Sequence, residues 1–263
     1  MASAATSVWP ASWNRQQRSS ATMITASIVL VLVLWLLAIP MAWAPEPIGN
    51  NAQAYAEGTR VTMALTIISA LAGVLIGVLA ALGKTSKVPP LRWIASTYIW
   101  IIRGTPLLVQ ILFVYFALPA LVPWLRLSDF ASACLALSFN VGAYNAEAIR
   151  AGLLAVPRGQ MEAARSLGLS SWYTFIDVTF PQAFKISLPP LVNNVVALLK
   201  DSSLAYAIGV VELTNIGNRI QAATFQPVPT LLTSAVLYLV LTTMLTQISN
   251  AVERRYDVEG KLA

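Results

Sequence analysis

The sequence has no histidine and one cysteine, and aspartate and glutamate together occur only 11 times. A disulfide framework and a Cys/His metal site are excluded by those counts. So is a nucleophile–histidine pair, so no catalytic residue and no metal ligand is assigned. Cys134 lies inside an apolar run and reads as a small packing residue. Charge is scarce: 11% of residues are charged, against about 25% in a soluble domain. The net charge of +6 comes from basic residues scattered between apolar runs. They form no stripe, so nucleic acid is not a partner.

What the chain does have is hydrophobic length. Its 263 residues are 57% hydrophobic, with a mean hydropathy of +0.68. A membrane helix needs about 20 apolar residues, and candidate spans are Thr22–Trp43, Thr59–Leu82, Tyr98–Leu118, Phe130–Arg150, Leu188–Val211 and Pro229–Val252. The first follows Arg15 and Arg18 and ends in "AWA", as a signal peptide does. Its apolar core, Ile24 to Ile39, is long for a signal, so it is expected to be a retained span.

With six alternating spans, most Lys and Arg fall on one side, including Arg15, Arg18, Lys84, Lys87, Arg92, Arg150, Arg158, Arg165, Lys185, Arg254 and Arg255. Arg60, Arg126 and Arg219 fall on the other. By the positive-inside rule both termini are expected in the cytoplasm, with tails at residues 1–21 and 255–263.

"GVLAALGKT", Gly77 to Thr85, imitates a phosphate-binding loop, but five residues separate Gly77 from Gly83 where the motif needs four. It also ends an apolar helix instead of following a strand. Gly73 and Gly77 read as a Gly-x-x-x-Gly packing pair, and Lys84 as a positive-inside anchor. An enzyme is not expected.

One polar island interrupts the apolar text: "RGQMEAARSLGLSSWYTF", Arg158 to Phe175. Pro157 suits a first helical turn. Arg158, Glu162 and Arg165 share one face, and Met161, Ala164 and Leu167 another. Gly168 is a helix stop, and Ser170 or Ser171 can cap a second short helix through "WYTFIDV". A membrane-surface helix favours Lys, Arg and bulky apolar residues. The acid and the paired alanines, Ala163 and Ala164, suit a protein partner better.

"EAARSLGLSSWYTFIDVTFPQAF", Glu162 to Phe184, resembles the EAA signature of permease subunits of ATP-binding-cassette importers. "GTRVTMALTIISALAGVLIGVLAAL", "YIWIIRGTPLLVQILFVYFALP", "NVGAYNAEAIRAGLLAVPRGQ" and "LLKDSSLAYAIGVVEL" resemble the branch that imports polar amino acids and opines.

The resemblance covers about residues 55–254. It implies an all-α membrane protein of the type I importer class, with a five-helix core and a coupling helix at about 158–168, to which this chain's own apolar run adds an N-terminal span at 22–44. It implies that Gly159, Glu162, Ala163, Ala164 and Gly168 meet a cytoplasmic ATPase dimer, which binds ATP and Mg in place of this chain. A second permease subunit, identical or not, and an external solute-binding protein are the other partners, in a bacterial inner membrane. Two departures stand out: family members often have five spans, and Ser202 in "KDSSL" replaces the usual Thr.

Polar groups inside apolar spans are costly and mark functional candidates. Pro106 disfavours helix at Thr105, so the third span is expected to break beside Arg103. Asn140, Tyr144 and Glu147 share a face of the fourth span. Lys200 and Asp201 end "LVNNVVALLKD" behind Asn193 and Asn194. Two readings stand for these charges. One is internal pairing, Lys200 with Asp201 or another acid and Glu147 with Arg150. The other is a substrate path through Arg103, Asn140, Glu147, Lys200 and Asp201, with Arg103 or backbone amides at a carboxylate and Asp201 or Glu147 at an ammonium. The alternative function is an ion-gradient-driven secondary amino-acid transporter, for which inverted repeats are the usual sign; none is seen.

Overall fold

In the computed structural model, residue 10 and residues 12–256 are described. They form helices and no strand: α1 Arg15–Leu36, α2 Ala52–Thr85, α3 Pro89–Gly104, α4 Leu107–Leu121, α5 Asp129–Ala155, α6 Arg158–Ser166, α7 Ser171–Ile208, α8 Leu213–Thr224 and α9 Pro227–Arg255. Helix α1 therefore begins inside the expected tail, where Asn14 and Gln17 form a reciprocal capping box. The rest of the expected tails, residues 1–9, 11 and 257–263, lies outside the described residues.

By length and composition α1, α2 and α9 can each cross a membrane, and the bent pairs α3/α4 and α7/α8 raise the number to five. The remaining expected span, the fourth, is α5. It is 27 residues long, about 40 Å, but it is written in Ala, Ser, Gly and Asn. The reason is its position: α5 is covered by protein, with Ser132, Ala136, Asn140, Gly142, Asn145 and Gly152 buried.

Helices α2 and α5 run parallel as the central pair, because residues meet in increasing order along both. The Ser69 hydroxyl donates to the Cys134 carbonyl. A Cβ on Gly73 would collide with Val141 Cγ1, and one on Gly77 would lie 2.6 Å from Asn145 Cβ. The Gly-x-x-x-Gly pair is thus a packing seam. The phosphate-loop imitation, Gly77 to Thr85, is the last part of α2 and is helical throughout. Helix α7 packs on α5 and α9, and α9 on α1 and α8. Leu30 and Leu34 of α1 join Met63, Leu199 and Leu241. The opposite side of α1 leaves Ile24, Ile28, Val31 and Trp35 exposed, a face suited to lipid.

Gly77→Val is expected to destabilise the fold by about 1–3 kcal/mol, the usual cost of overpacking. It would be read as a lower melting temperature of the detergent-extracted protein. Gly159→Ala is the control, since no atom lies within 4 Å of a Cβ there.

Two π-helical segments, Phe113–Ala117 in α4 and Thr174–Thr179 in α7, each end just before a proline, Pro119 and Pro181. A proline ring clashes with the carbonyl four residues earlier. Widening the turn accommodates that clash. The expected short helix through "WYTFIDV" is consequently continuous with the fifth span, and α7 starts at Ser171. Its cap is Ser170, which accepts from the Tyr173 amide.

Candidate functional site

The expected break in the third span is present. Thr105 and Pro106 are extended, and α3 and α4 meet at a bend of 111°. A break frees carbonyls that a helix would have used. Gln110, one turn past Pro106, takes them over. Its amide nitrogen donates to the Ile102 carbonyl at 2.7 Å, to the Thr105 carbonyl at 3.1 Å and to the Thr105 hydroxyl at 2.9 Å. Its oxygen accepts from Asn140 Nδ2 at 3.0 Å, which ties the break to α5. Sequence reasoning does not single out Gln110, although an amide inside "TPLLVQIL" is a signal of the kind that applies to Asn140.

Beside the break lies a cavity of about 440 Å³, lined by Thr105, Pro106, Leu107, Asn140, Tyr144, Asn194 and Asp201 among others. Thus the third, fourth and fifth spans bring Asn140 and Asp201 together, as the path reading expects. The cavity also faces the N-terminus of α4, whose first amides have no carbonyl one turn earlier in their own helix. Asn194 donates to Asn145 Oδ1 at 2.9 Å, joining α7 to α5. Asp201 ends the regular part of α7, where a 3₁₀ segment, Ser202–Ile208, begins. A carboxylate at a helix C-terminus opposes the helix dipole, so this placement is not explained by helix stability. The Ser202 hydroxyl is buried and donates to the Leu199 carbonyl at 2.7 Å; serine supplies the only group that this contact uses.

Three residues of the expected path are placed differently. Lys200 is exposed and lines no described cavity, because consecutive helical residues point about 100° apart. The described salt bridges do not include Lys200–Asp201. Glu147 is paired: one oxygen lies 2.6 Å from Lys84 Nζ and the other 2.8 Å from Arg150. Internal pairing therefore describes Glu147, and Lys84, expected only as an anchor, is one of its partners. Arg103 lies over the Tyr144 ring at 5.3 Å and lines a second cavity of about 430 Å³ with Lys84, Ser96, Trp100, Tyr144 and Glu147.

The polar island forms α6, and Pro157 occupies its N-cap position instead of the first turn. Gly168 ends it at φ +86°. The Gly168 amide donates to the Arg165 carbonyl and the Leu169 amide to that of Ala164, which together make a Schellman motif. Glu162, Ala163 and Gly159 face outward, and Ala164 does not: it is buried against its own chain. Helix α6 packs on the π segment of α7, and Ala164, expected to meet a partner, is covered by that contact. Leu167 is 84% exposed, because the helix ends at Ser166 and its periodicity no longer applies.

An acid that is fully buried, Glu212, escapes the sequence reading. Glu212 caps α8, accepting from the Thr214 and Asn215 amides and from the Tyr238 hydroxyl at 2.7 Å. An acid before "LTNIGNRI" is a helix-start signal.

The sequence pattern of binding-protein-dependent transport system inner membrane components matches residues 73–258. The chain is 41% identical to the L-cystine transport system permease protein of Bacillus subtilis over 76% of its own length and 85% of that protein's. It is 38% identical to the arginine transport system permease protein of the same species, over 76% and 90%. It is 38% identical to the glutamine transport system permease protein of Escherichia coli, over 77% and 92%. Among solved structures, an amino acid ABC transporter crystallised with histidines matches at a TM-score of 0.74 and 38% identity, covering 78% of this chain and 95% of that one. An inward-facing MetNI methionine transporter matches at 0.67 and 20% identity, a likeness of fold.

Proposed function

The chain belongs to the family of inner-membrane components of binding-protein-dependent transport systems, and from that premise we propose that it moves a polar amino acid through the cavity between the break at Thr105–Pro106 and Asp201. One observation carries this reading: a carboxylate and a helix N-terminus line the same cavity. A zwitterion carries both complementary charges. Its ammonium would meet Asp201, and its carboxylate the first amides of α4, where the helix dipole is positive. Asn140 and Asn194 add neutral hydrogen-bonding groups. The relatives that carry cystine, arginine and glutamine support an amino acid as cargo, and they favour the importer over a gradient-driven transporter.

Energy would arrive through α6. In this reading the Glu162 and Ala163 side docks on a cytoplasmic ATPase dimer that holds ATP and Mg, a second permease subunit completes the path, and an external solute-binding protein delivers the cargo. The α6 end of the molecule and both termini would face the cytoplasm, α1 would stay in the mature chain, and residues 55–254 would form the permease domain proper.

Affinity purification from membranes, followed by mass spectrometry of subunits and bound small molecules, tests this. An ATPase subunit and a polar amino acid are expected. The permease alone should bind no nucleotide, and stoichiometric nucleotide binding by it would contradict the proposed division of labour.

A further inference from the structure

The two cavities differ in charge and share one wall. The first has one acidic or basic side chain in its lining, Asp201. The second contains Lys84, Arg103 and Glu147, with Arg150 bound to the same Glu147. Two cations and one anion line it, and the anion already serves Lys84 and Arg150. That leaves Arg103, whose guanidinium has the Tyr144 ring as its described partner and is exposed. Tyr144 lines both cavities.

Their order along the molecule follows from the parallel pair. Asn140 and Val141 border the first cavity and Glu147 the second, with Tyr144 between them on α5. Lys84 closes the same end of α2. The second cavity therefore lies nearer the end of α5 that leads into α6. Cargo leaving the first cavity toward that end meets Tyr144 and Arg103.

We propose that the second cavity is a cationic exit vestibule: Arg103, stacked on Tyr144, partitions it from the Asp201 cavity and receives the carboxylate of the departing amino acid. This rests on the Asp201 cavity being the cargo site. Arg103 is then an exit group and not part of the first binding site. Lys84 and Arg150 neutralise Glu147, so the vestibule does not retain the ammonium. With Glu147 held by Lys84 and Arg150, the charge left over in the vestibule is positive, and a cleft with an excess of one sign concentrates the opposite ion about 10-fold or more.

The test uses the whole importer complex in nanodiscs, with Cys134→Ala as background and single cysteines at Ser96→Cys in the vestibule and Ala197→Cys in the first cavity. Each is modified with an anionic (sulfonatoethyl) and a cationic (trimethylammonioethyl) methanethiosulfonate, normalised to a free thiol. At Ser96→Cys the anionic reagent should react about tenfold faster. Arg103→Gln should remove that preference and Arg103→Lys retain it. At Ala197→Cys the preference should reverse. A mixture of L-glutamine, L-arginine and L-cystine should slow modification at both positions, and the corresponding α-amides should fail to protect Ser96→Cys. An unchanged preference in Arg103→Gln, or no anionic preference at Ser96→Cys, overturns the vestibule. Protection at Ala197→Cys without protection at Ser96→Cys overturns it while keeping the first site. Protection at neither overturns both.

Discussion

Asp201→Asn is expected to reduce amino-acid uptake roughly 30-fold or more while the permease still assembles with its ATPase. Removing one member of a hydrogen-bonded charge pair in a desolvated site costs about 2 kcal/mol or more, and each 1.4 kcal/mol is tenfold. The same residue could be thought to serve Lys200 alone, its neighbour in sequence. The geometry argues otherwise: Lys200 is exposed, and Asp201 lines the cavity. A double change separates the two ideas. If the acid only neutralised the lysine, Lys200→Met with Asp201→Leu should restore assembly and uptake together, since replacing both members of a pair is often nearly neutral. Assembly without uptake is the expected result, measured as co-purified ATPase and labelled amino acid per vesicle. Wild-type uptake in the double variant would remove Asp201 from the site.

Gly168→Asp and Glu162→Lys are expected to leave the protein in the membrane and to uncouple it. Gly168 holds φ +86°, and no atom lies within 4 Å of the place a Cβ would take, so the chain itself has room for a side chain. The left-handed backbone costs a substituted residue about 1–2 kcal/mol, which loosens the stop of a nine-residue helix. The new carboxylate also stands beside the outward face. Glu162→Lys inverts charge on that face without touching the buried Ala164 contact. Both variants should lose most co-purified ATPase and uptake; Glu162→Lys should keep a normal melting temperature of the isolated permease, and Gly168→Asp should lower it by only a few degrees. Normal uptake in both would make α6 a membrane-surface helix.

These features differed in how far the sequence revealed them. The break at Thr105–Pro106 was legible because proline acts locally on its predecessor. So was the stop at Gly168, because only a positive φ needs glycine there. The glycine seam of α2 was legible as spacing, but its partner on α5 was not, since that depends on which helices become neighbours. The Lys84–Glu147–Arg150 cluster was half legible: the i, i+3 pair on α5 could be read, and the lysine 63 positions earlier could not. The face shared by Met161, Ala164 and Leu167 was legible only in part: Ala164 turns to its own chain, which spacing alone does not reveal, and Leu167 lies past the helix end at Ser166, where the periodicity stops. The composition of α5 hid its depth, since a helix surrounded by protein needs small residues for close approach more than it needs hydrophobicity.

Uptake by the purified complex in proteoliposomes tests most directly whether the chain is the permease of an ATP-driven amino-acid importer. With ATPase, loaded solute-binding protein and ATP present, labelled amino acid should accumulate in the lumen. A protonophore should leave the initial rate unchanged, and an ATPase disabled in hydrolysis should abolish it. Accumulation without ATP, collapsing when the protonophore is added, would instead make the chain a gradient-driven transporter.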